Sequence, residues 1–270
     1  MITIEQVSKC YTKKTLFKKA SIVQAVRNIS LTIQEGRCFA LVGPSGSGKS
    51  TLGKMILGIE KPDTGSIYFH ETNIHQAKGE ERRFLQHALQ VVFQDCHSAV
   101  NPRMKVRDII AEPMRVHQQL TKQQIEKQVG ELLEMVGLNR EDMHKYPHQF
   151  SGGQLQRITI ARAICTKPKL IVLDESINSL DVLVQISILK LLKKLQQELN
   201  LTYFFITHDL HAVKLFADDV ALMHQGEIAE CIQVTELANV QHEASKALLA
   251  AQLPIDCVHN YLRDVKEHVS

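Results

Sequence analysis

The nine residues from Gly43 to Thr51, GPSGSGKST, constrain this chain more than any other stretch. They fit the pattern G-x-x-x-x-G-K-S/T, which has meaning only between a strand and a helix. Both neighbours are in place. "CFALVG", residues 38–43, is a short apolar run ending in glycine and predicts a buried strand. "KSTLGKMILGI" behind it predicts a helix. Gly43, Gly46 and Gly48 let backbone N–H groups turn inward toward an anion, and the helix start adds the positive end of its dipole. Pro44, Ser45, Ser47 and Thr51 belong to the same cradle.

In such a loop Lys49 bridges the β- and γ-phosphates of a nucleotide and Ser50 holds Mg²⁺. "LIVLDE" supplies the other half of the site. Asp174 ends an apolar run, where a carboxylate holds Mg²⁺ through water. Glu175 beside it is positioned to orient and activate an attacking water. Together these features predict a P-loop nucleotide hydrolase and leave its kind open.

The remaining chain supplies a scaffold for such a site. "MITIEQVS" and "AVRNISLTIQEG" alternate apolar and polar residues and predict two antiparallel strands near the N-terminus. The lysine-rich "TKKTLFKKAS" between them reads as an exposed hairpin loop. "GSIYFH", "LQVVF", "KLIVLDES" and "LTYFFITHD" read as further strands. The helix "VLVQISILKLLKKLQQEL" between the last two makes a βαβ unit with parallel strands. Residues 96–160 change to helical patterning, with Ile125, Val129, Leu132, Leu133 and Val136 on one face and Gly137 as the stop. "DDVALMHQGEIAEC" predicts a strand pair and "EASKALLAAQL" a helix.

Composition narrows the setting. With 44% hydrophobic and 23% charged residues the chain is ordinary for a globular protein, and a net charge of +3 is too mild to argue for nucleic acid. No apolar run approaches the ~18 residues of a membrane span, and the first twenty residues lack a signal-type apolar core, so the chain is expected to stay in the cytosol. Cys10, Cys38, Cys96, Cys165, Cys231 and Cys257 are scattered with no CxxC pair, and are expected to be reduced and mostly packed as small apolar residues. His144 and His148 stand four apart, but Pro147 lies between them, so they read as solvated or capping residues.

A second glycine pair decides the kind of hydrolase. "FSGGQLQR", residues 150–157, resembles the signature sequence of the ATP-binding-cassette (ABC) ATPases. Ser151, Gly152, Gly153 and Gln154 match it, and Phe150 replaces the usual leucine. Gln94, after "LQVVF", falls at the family's Q-loop glutamine. His208, after "YFFIT", falls at its switch histidine. Ser179, Leu180 and Asp181 match the D-loop, and Tyr11 lies where an aromatic residue stacks on adenine. Singly each would be an ordinary residue; in this order they form a set. One stretch departs: the usual "DEPTSALD" is "DESINSLD" here, with Ser176 and Ile177 replacing proline and threonine.

The resemblance implies an α/β fold with a RecA-like parallel-sheet core, an N-terminal antiparallel β subdomain and an inserted α-helical subdomain, about 96–160. The ATPase domain would cover 1–235 and a tail helix 236–270. ATP and Mg²⁺ are the implied cofactors, with Gln94 joining Ser50 and Asp174 around the metal. Glu175, His208, Gln94 and Lys49 are the implied catalytic residues. The family pairs two cassettes head to tail, so Ser151 to Gln154 would contact ATP on a second ATPase subunit. "VVFQDCHSAVNPRMKVRDIIAEPMR" and "HEASKALLAAQLP" are similar to the branch that imports oligopeptides, dipeptides and nickel. Within it, "FQD…SAVNPR…VRDII.EPMR", "LLKKLQQ…FITHDL" and "DESINSLD" resemble the nickel-importing cassettes most. The implied partners are two transmembrane permease subunits and an extracytoplasmic substrate-binding protein, with the chain peripheral at the cytoplasmic face of the membrane and no nucleic acid bound. Metal selection would belong to those partners. The non-transport cassettes that act on DNA or ribosomes commonly carry two cassettes or a coiled-coil insertion; this chain has one cassette and no long heptad run.

Overall fold

The computed structural model describes residues 1–15, 18–117, 120–177 and 181–250. Two long strands open it, β1 (Ile2–Thr15) and β2 (Lys18–Ile33), paired antiparallel from Ile2↔Ile33 to Thr15↔Lys18. The lysine-rich stretch expected as a loop is therefore mostly strand, while Leu16 and Phe17 lie outside the described residues. β-branched and aromatic partners, Tyr11↔Val23 and Thr12↔Ile22, bring the ladder up to the lysines, and it continues through Lys13↔Ser21 to Thr15↔Lys18.

β3 (Cys38–Val42) leads into the glycine-rich loop and α1 (Lys49–Ile56) leaves it, as the motif requires. β4 (Thr64–Phe69) pairs with the free edge of β1, and β5 (Thr72–Asn73) pairs with β4, closing a four-stranded sheet in the order β2-β1-β4-β5. α2 (Gly79–Ala88) and β6 (Leu89–Val92) follow. The helical stretch holds α3 (Val106–His117), α4 (Lys122–Met135) and α5 (Gly152–Ile164), with short 3-10 turns at Arg140–His144 and Pro147–Gln149. Ile125, Val129, Leu133 and Val136 are buried from α4, and Gly137 ends it at φ +75°. Thr121 and Gln124 form a reciprocal capping box at its start.

The second half alternates as a parallel sheet demands: β7 (Leu170–Asp174), α6 (Val182–Leu199), β8 (Thr202–Thr207), α7 (Leu210–Phe216), β9 (Asp219–His224) and β10 (Glu227–Gln233). α8 (Glu243–Ala250) ends the described chain. The six strands order as β10-β9-β3-β8-β7-β6, parallel except for the antiparallel edge strand β10. His144 and His148 are both exposed, and no group of three metal-binding side chains occurs among the described residues. Cys38, Cys96 and Cys165 are buried as expected; Cys10 on β1 and Cys231 on the edge strand β10 are exposed, and Cys257 lies outside the described residues.

The central strands are apolar on both sides because both faces are covered. In β8, Tyr203 and Phe205 enter one core, with α5, α6, α7 and the helices α3 and α4. Phe204 and Ile206 enter the other, with α1, α2 and the antiparallel sheet. β3 splits likewise, with Cys38, Ala40 and Val42 on the first side and Phe39 and Leu41 on the second. This two-residue alternation makes β8 the wall shared by both cores. Phe205, fully buried against the Phe216 ring at 5.5 Å, is expected to lose about 3–5 kcal/mol of stability on replacement by alanine. Urea unfolding followed by circular dichroism reads this directly, and a loss below about 1 kcal/mol would contradict the shared-wall packing.

Candidate nucleotide site

Because the central strands run parallel, their carboxyl ends meet along one edge of the sheet, where α/β folds bind ligands. The glycine-rich loop follows β3, Asp174 ends β7 and His208 follows β8. The loop itself is closely fitted. A Cβ on Gly48, at φ +107°, would lie 2.0 Å from the Ala25 carbonyl oxygen, and one on Gly43 2.2 Å from that of Met223. The turn between β9 and β10 locks it from outside: Gly226 N–H donates to the Ser47 carbonyl at 3.0 Å, and Arg27 N–H to the Gly226 carbonyl at 2.8 Å.

Lys49 is buried to 4% exposure, and its ammonium donates to the carbonyls of Gly43 at 2.8 Å and Pro44 at 3.0 Å. Burial pulls its pKa below the ordinary 10.5, and the Glu175 and Asp174 carboxylates oppose that pull. Ser50 Oγ donates to Asp174 Oδ1 at 2.9 Å. Burial raises the Asp174 pKa above 3.8; the Ser50 hydroxyl opposes this and the neighbouring Glu175 adds to it. Glu175 adopts a left-handed backbone, φ +49°, with its N–H on the Ile206 carbonyl at 2.9 Å. Its Oε1 lies 3.9 Å from His208 Nδ1. His208 is carried on a tight turn in which Asp209 N–H donates to Thr207 Oγ1 and Asp209 caps α7.

Lys49, Ser50, Asp174, Glu175 and His208 thus lie together at this edge of the sheet. Tyr11, 36% exposed, stands beside Thr51 and Glu60; burial and the Glu60 carboxylate raise its phenol pKa. Gln94 is exposed just beyond β6, and among the described residues no hydrogen bond joins it to Ser50 or Asp174. Asp181 is exposed and caps α6 by accepting from Val184 N–H at 3.1 Å; Ser179 and Leu180 lie outside the described residues. Ser151 and Gln154 form a capping box on α5, the glycines between them being its first helical turn. Among the described residues no hydrogen bond or ion pair joins residues 151–154 to the loop at 43–51.

Several contacts have no signal in the sequence. A Cβ on Gly153 would lie 2.5 Å from Val184 Cγ1, so this glycine also lets α5 approach α6. Cys96 Sγ donates to the Gly152 carbonyl at 3.9 Å and Arg162 to the Ala99 carbonyl at 2.7 Å, tying the stretch after Gln94 to α5. Ser47 Oγ and Ser176 Oγ are buried beside the site with no hydrogen-bond partner, which suits a cradle that gains oxygen-rich contacts on filling. The hydroxyl and carboxylate at Ser50 and Asp174 are hard oxygen donors of the type Mg²⁺ takes.

A buried aspartate disfavoured in its charged form costs stability in the empty chain. Asp174→Asn keeps an acceptor for Ser50 and removes that charge. It is expected to raise the melting temperature of the nucleotide-free chain at pH 7. The gain should shrink as pH falls and vanish below 3.8, where the carboxyl is protonated in folded and unfolded states alike. Melting curves from pH 3 to 8 read the difference; equal stability throughout would contradict it.

With the geometry in view, comparisons with known proteins agree on one family. The family model described as ABC transporter matches residues 26–178. The oligopeptide transport ATP-binding protein OppF of Streptococcus mutans is 43% identical over 254 residues, 93% of this chain and 81% of that protein. The nickel import ATP-binding protein NikE of Rhodospirillum rubrum is 42% identical over 254 residues, 94% of this chain and 92% of that protein. Among solved structures, a dimeric ATP-binding cassette in a post-hydrolysis state, bound to ADP and Pi, superposes with a TM-score of 0.75 at 28% identity, covering 87% of this chain and 99% of that one. The nucleotide loop, the acidic strand end and these likenesses converge: the chain belongs to the ABC transporter family, as an ATP-binding cassette subunit of the importer type.

Proposed function

We propose that this cassette hydrolyses ATP to drive nickel through membrane permease subunits. The observation that carries the reading is the hydrogen bond of Ser50 to Asp174, with Glu175 next in the chain and 3.9 Å from His208. It assembles a phosphate cradle, a metal-binding oxygen pair and a base on one sheet edge. Lys49, now held by two carbonyls of its own loop, would turn to the β- and γ-phosphates. The backbone of Gly43 to Thr51 wraps the phosphate chain, and Tyr11 stacks on adenine. Ser50 and Asp174, with Gln94 moving in, would hold Mg²⁺, which neutralises charge between the phosphates. Glu175 orients the attacking water and accepts its proton, while His208 steadies the γ-phosphate end.

The signature at Ser151 to Gln154 is read as acting on a second cassette. The lack of bonds between it and the chain's own loop among the described residues supports this, as does the dimer among the similar solved structures. No helix among the described residues is long and apolar enough to cross a membrane, which suits a peripheral subunit docked on permeases at the cytoplasmic face and served by an extracytoplasmic binding protein. Residues 236–270 are read as a tail beyond the ATPase domain. Its visible start is clamped where Glu230 accepts from Gln241 and His242 N–H groups.

Nickel as cargo rests on "FQD…SAVNPR…VRDII.EPMR", "LLKKLQQ…FITHDL" and "DESINSLD" and on the relative from Rhodospirillum rubrum. A second reading, peptide cargo in the same machine, is favoured by the relative from Streptococcus mutans.

Glu175→Gln is expected to lower turnover about 10²–10⁴-fold while ATP binding persists. Full phosphate release from the assembled transporter carrying the variant would sink the base assignment. Cells lacking the gene are expected to lose high-affinity uptake of labelled nickel. Normal nickel uptake with lost growth on dipeptides would instead establish the peptide reading.

A further inference from the structure

Glu60 to Asp63 lie between α1 and β4, and they hold β1 immediately before Tyr11. Asp63 N–H donates to the Ser8 carbonyl at 2.9 Å. Asp63 Oδ1 accepts from the Lys9 ammonium at 3.0 Å, and Oδ2 accepts from Cys10 N–H at 2.7 Å. Lys9 donates again to the Lys61 carbonyl at 2.8 Å and stands 4.0 Å from Glu60. Three successive residues of β1 are thus fastened to one residue outside it.

β1 loses its second strand partner at this point. Its register with β4 ends at Ser8↔Thr64, and its register with β2 slips between Lys9 and Cys10. A slip of this kind re-aims the side chains that follow it, and Tyr11 is the next residue. The Asp63 carboxylate takes the Cys10 N–H where β4 no longer does. An exposed ion pair alone adds little, whereas a carboxylate bonded to a backbone N–H fixes the chain itself. The Cys10 N–H, then the Lys9 ammonium, hold the Asp63 carboxyl below its ordinary 3.8. That same ammonium lies over the Tyr11 ring, 5.8 Å from its centre. Tyr11 keeps exposed ring surface, and its phenol is within hydrogen-bonding reach of Glu60 and Thr51, the last residue of the glycine-rich loop.

We propose that Asp63 is a positioning residue for the nucleotide: through Lys9 and the Cys10 N–H it fixes β1 so that Tyr11 stands ready at the adenine end of the site. This rests on the reading of Tyr11 as the residue that stacks on adenine. Asp63 acts through Tyr11 rather than on the nucleotide. It removes in advance motion that β1 would otherwise lose on binding. Ordering one or two residues at that moment would weaken affinity about 10-fold. Lys49, Ser50, Asp174 and Glu175 have no bond to Asp63 among the described residues, so the chemical step is unchanged.

The test is binding of ATP with Mg²⁺ by the full chain, measured by titration calorimetry for Asp63→Ala, Tyr11→Ala and the double variant. Asp63→Ala is expected to weaken binding about 10-fold, and Tyr11→Ala at least as much. The double variant is expected to lose no more than about 2-fold beyond Tyr11→Ala alone, because Asp63 has nothing left to position. In the assembled transporter Asp63→Ala is expected to raise KM for ATP and leave kcat unchanged. Unchanged binding by Asp63→Ala beside weakened binding by Tyr11→Ala would overturn the proposal and leave the adenine reading intact. Additive losses in the double variant, the mark of general damage to the fold, would overturn it too, as would a fallen kcat. Tyr11→Ala binding ATP as tightly as the unaltered chain would refute the adenine reading and the proposal with it.

Discussion

A single hydrogen bond between side chains 124 residues apart, Ser50 Oγ to Asp174 Oδ1, organises the functional edge of this molecule. It joins the start of α1 to the end of β7. Parallel pairing of β7 with β8 then fixes Glu175, one residue past β7, whose N–H donates to the Ile206 carbonyl within β8. The left-handed backbone at Glu175 is a strained choice for a non-glycine residue, of order 1–3 kcal/mol. It persists because both neighbouring strands are buried on both faces. Asp174 is itself held in a setting that disfavours its charge. The edge is thus built with unmet electrostatic demand, and a cation and a phosphate chain are the natural groups to meet it.

Much of this was legible in the sequence because it rests on local periodicity and spacing. The loop at 43–51 needs a strand before and a helix after, and both are there. α6 spans the residues whose pattern predicts it, and α4 ends at Gly137 as the pattern requires. Elements with little apolar face were not legible. α2 buries only Leu85 and Ala88, and α7 is seven residues long. The hairpin of β1 and β2 was underestimated because lysines look like loop, whereas cross-strand pairing decides. Gly153 reads in sequence as a phosphate contact; that it also admits Val184 depends on how α5 meets α6, which no local pattern reports.

The helical lobe shares its apolar core with the sheet and is also tied to it by directed polar contacts. Cys96 and Arg162 fasten the stretch after Gln94 to α5, and Arg157 donates to the Val136 carbonyl and to Ser187 on α6. Through the Cys96 thiol and the Gly152 carbonyl, the turn after Gln94 touches the start of α5, where Ser151 stands.

β3 carries the glycine-rich loop, yet its partners in the sheet among the described residues are β8 and β9, and the clasp on the loop is Gly226. All three arrive more than 150 residues later in the chain. At ~5–20 residues per second, synthesis from Gly48 to Gly226 takes roughly 10 to 35 s. During that interval the emerging polypeptide holds a glycine-rich segment with no sheet to stiffen it. The ribosome thus releases a chain whose ability to grip nucleotide appears only near the end of translation. A truncated product would carry the motif without the strands and the clasp that hold it in place.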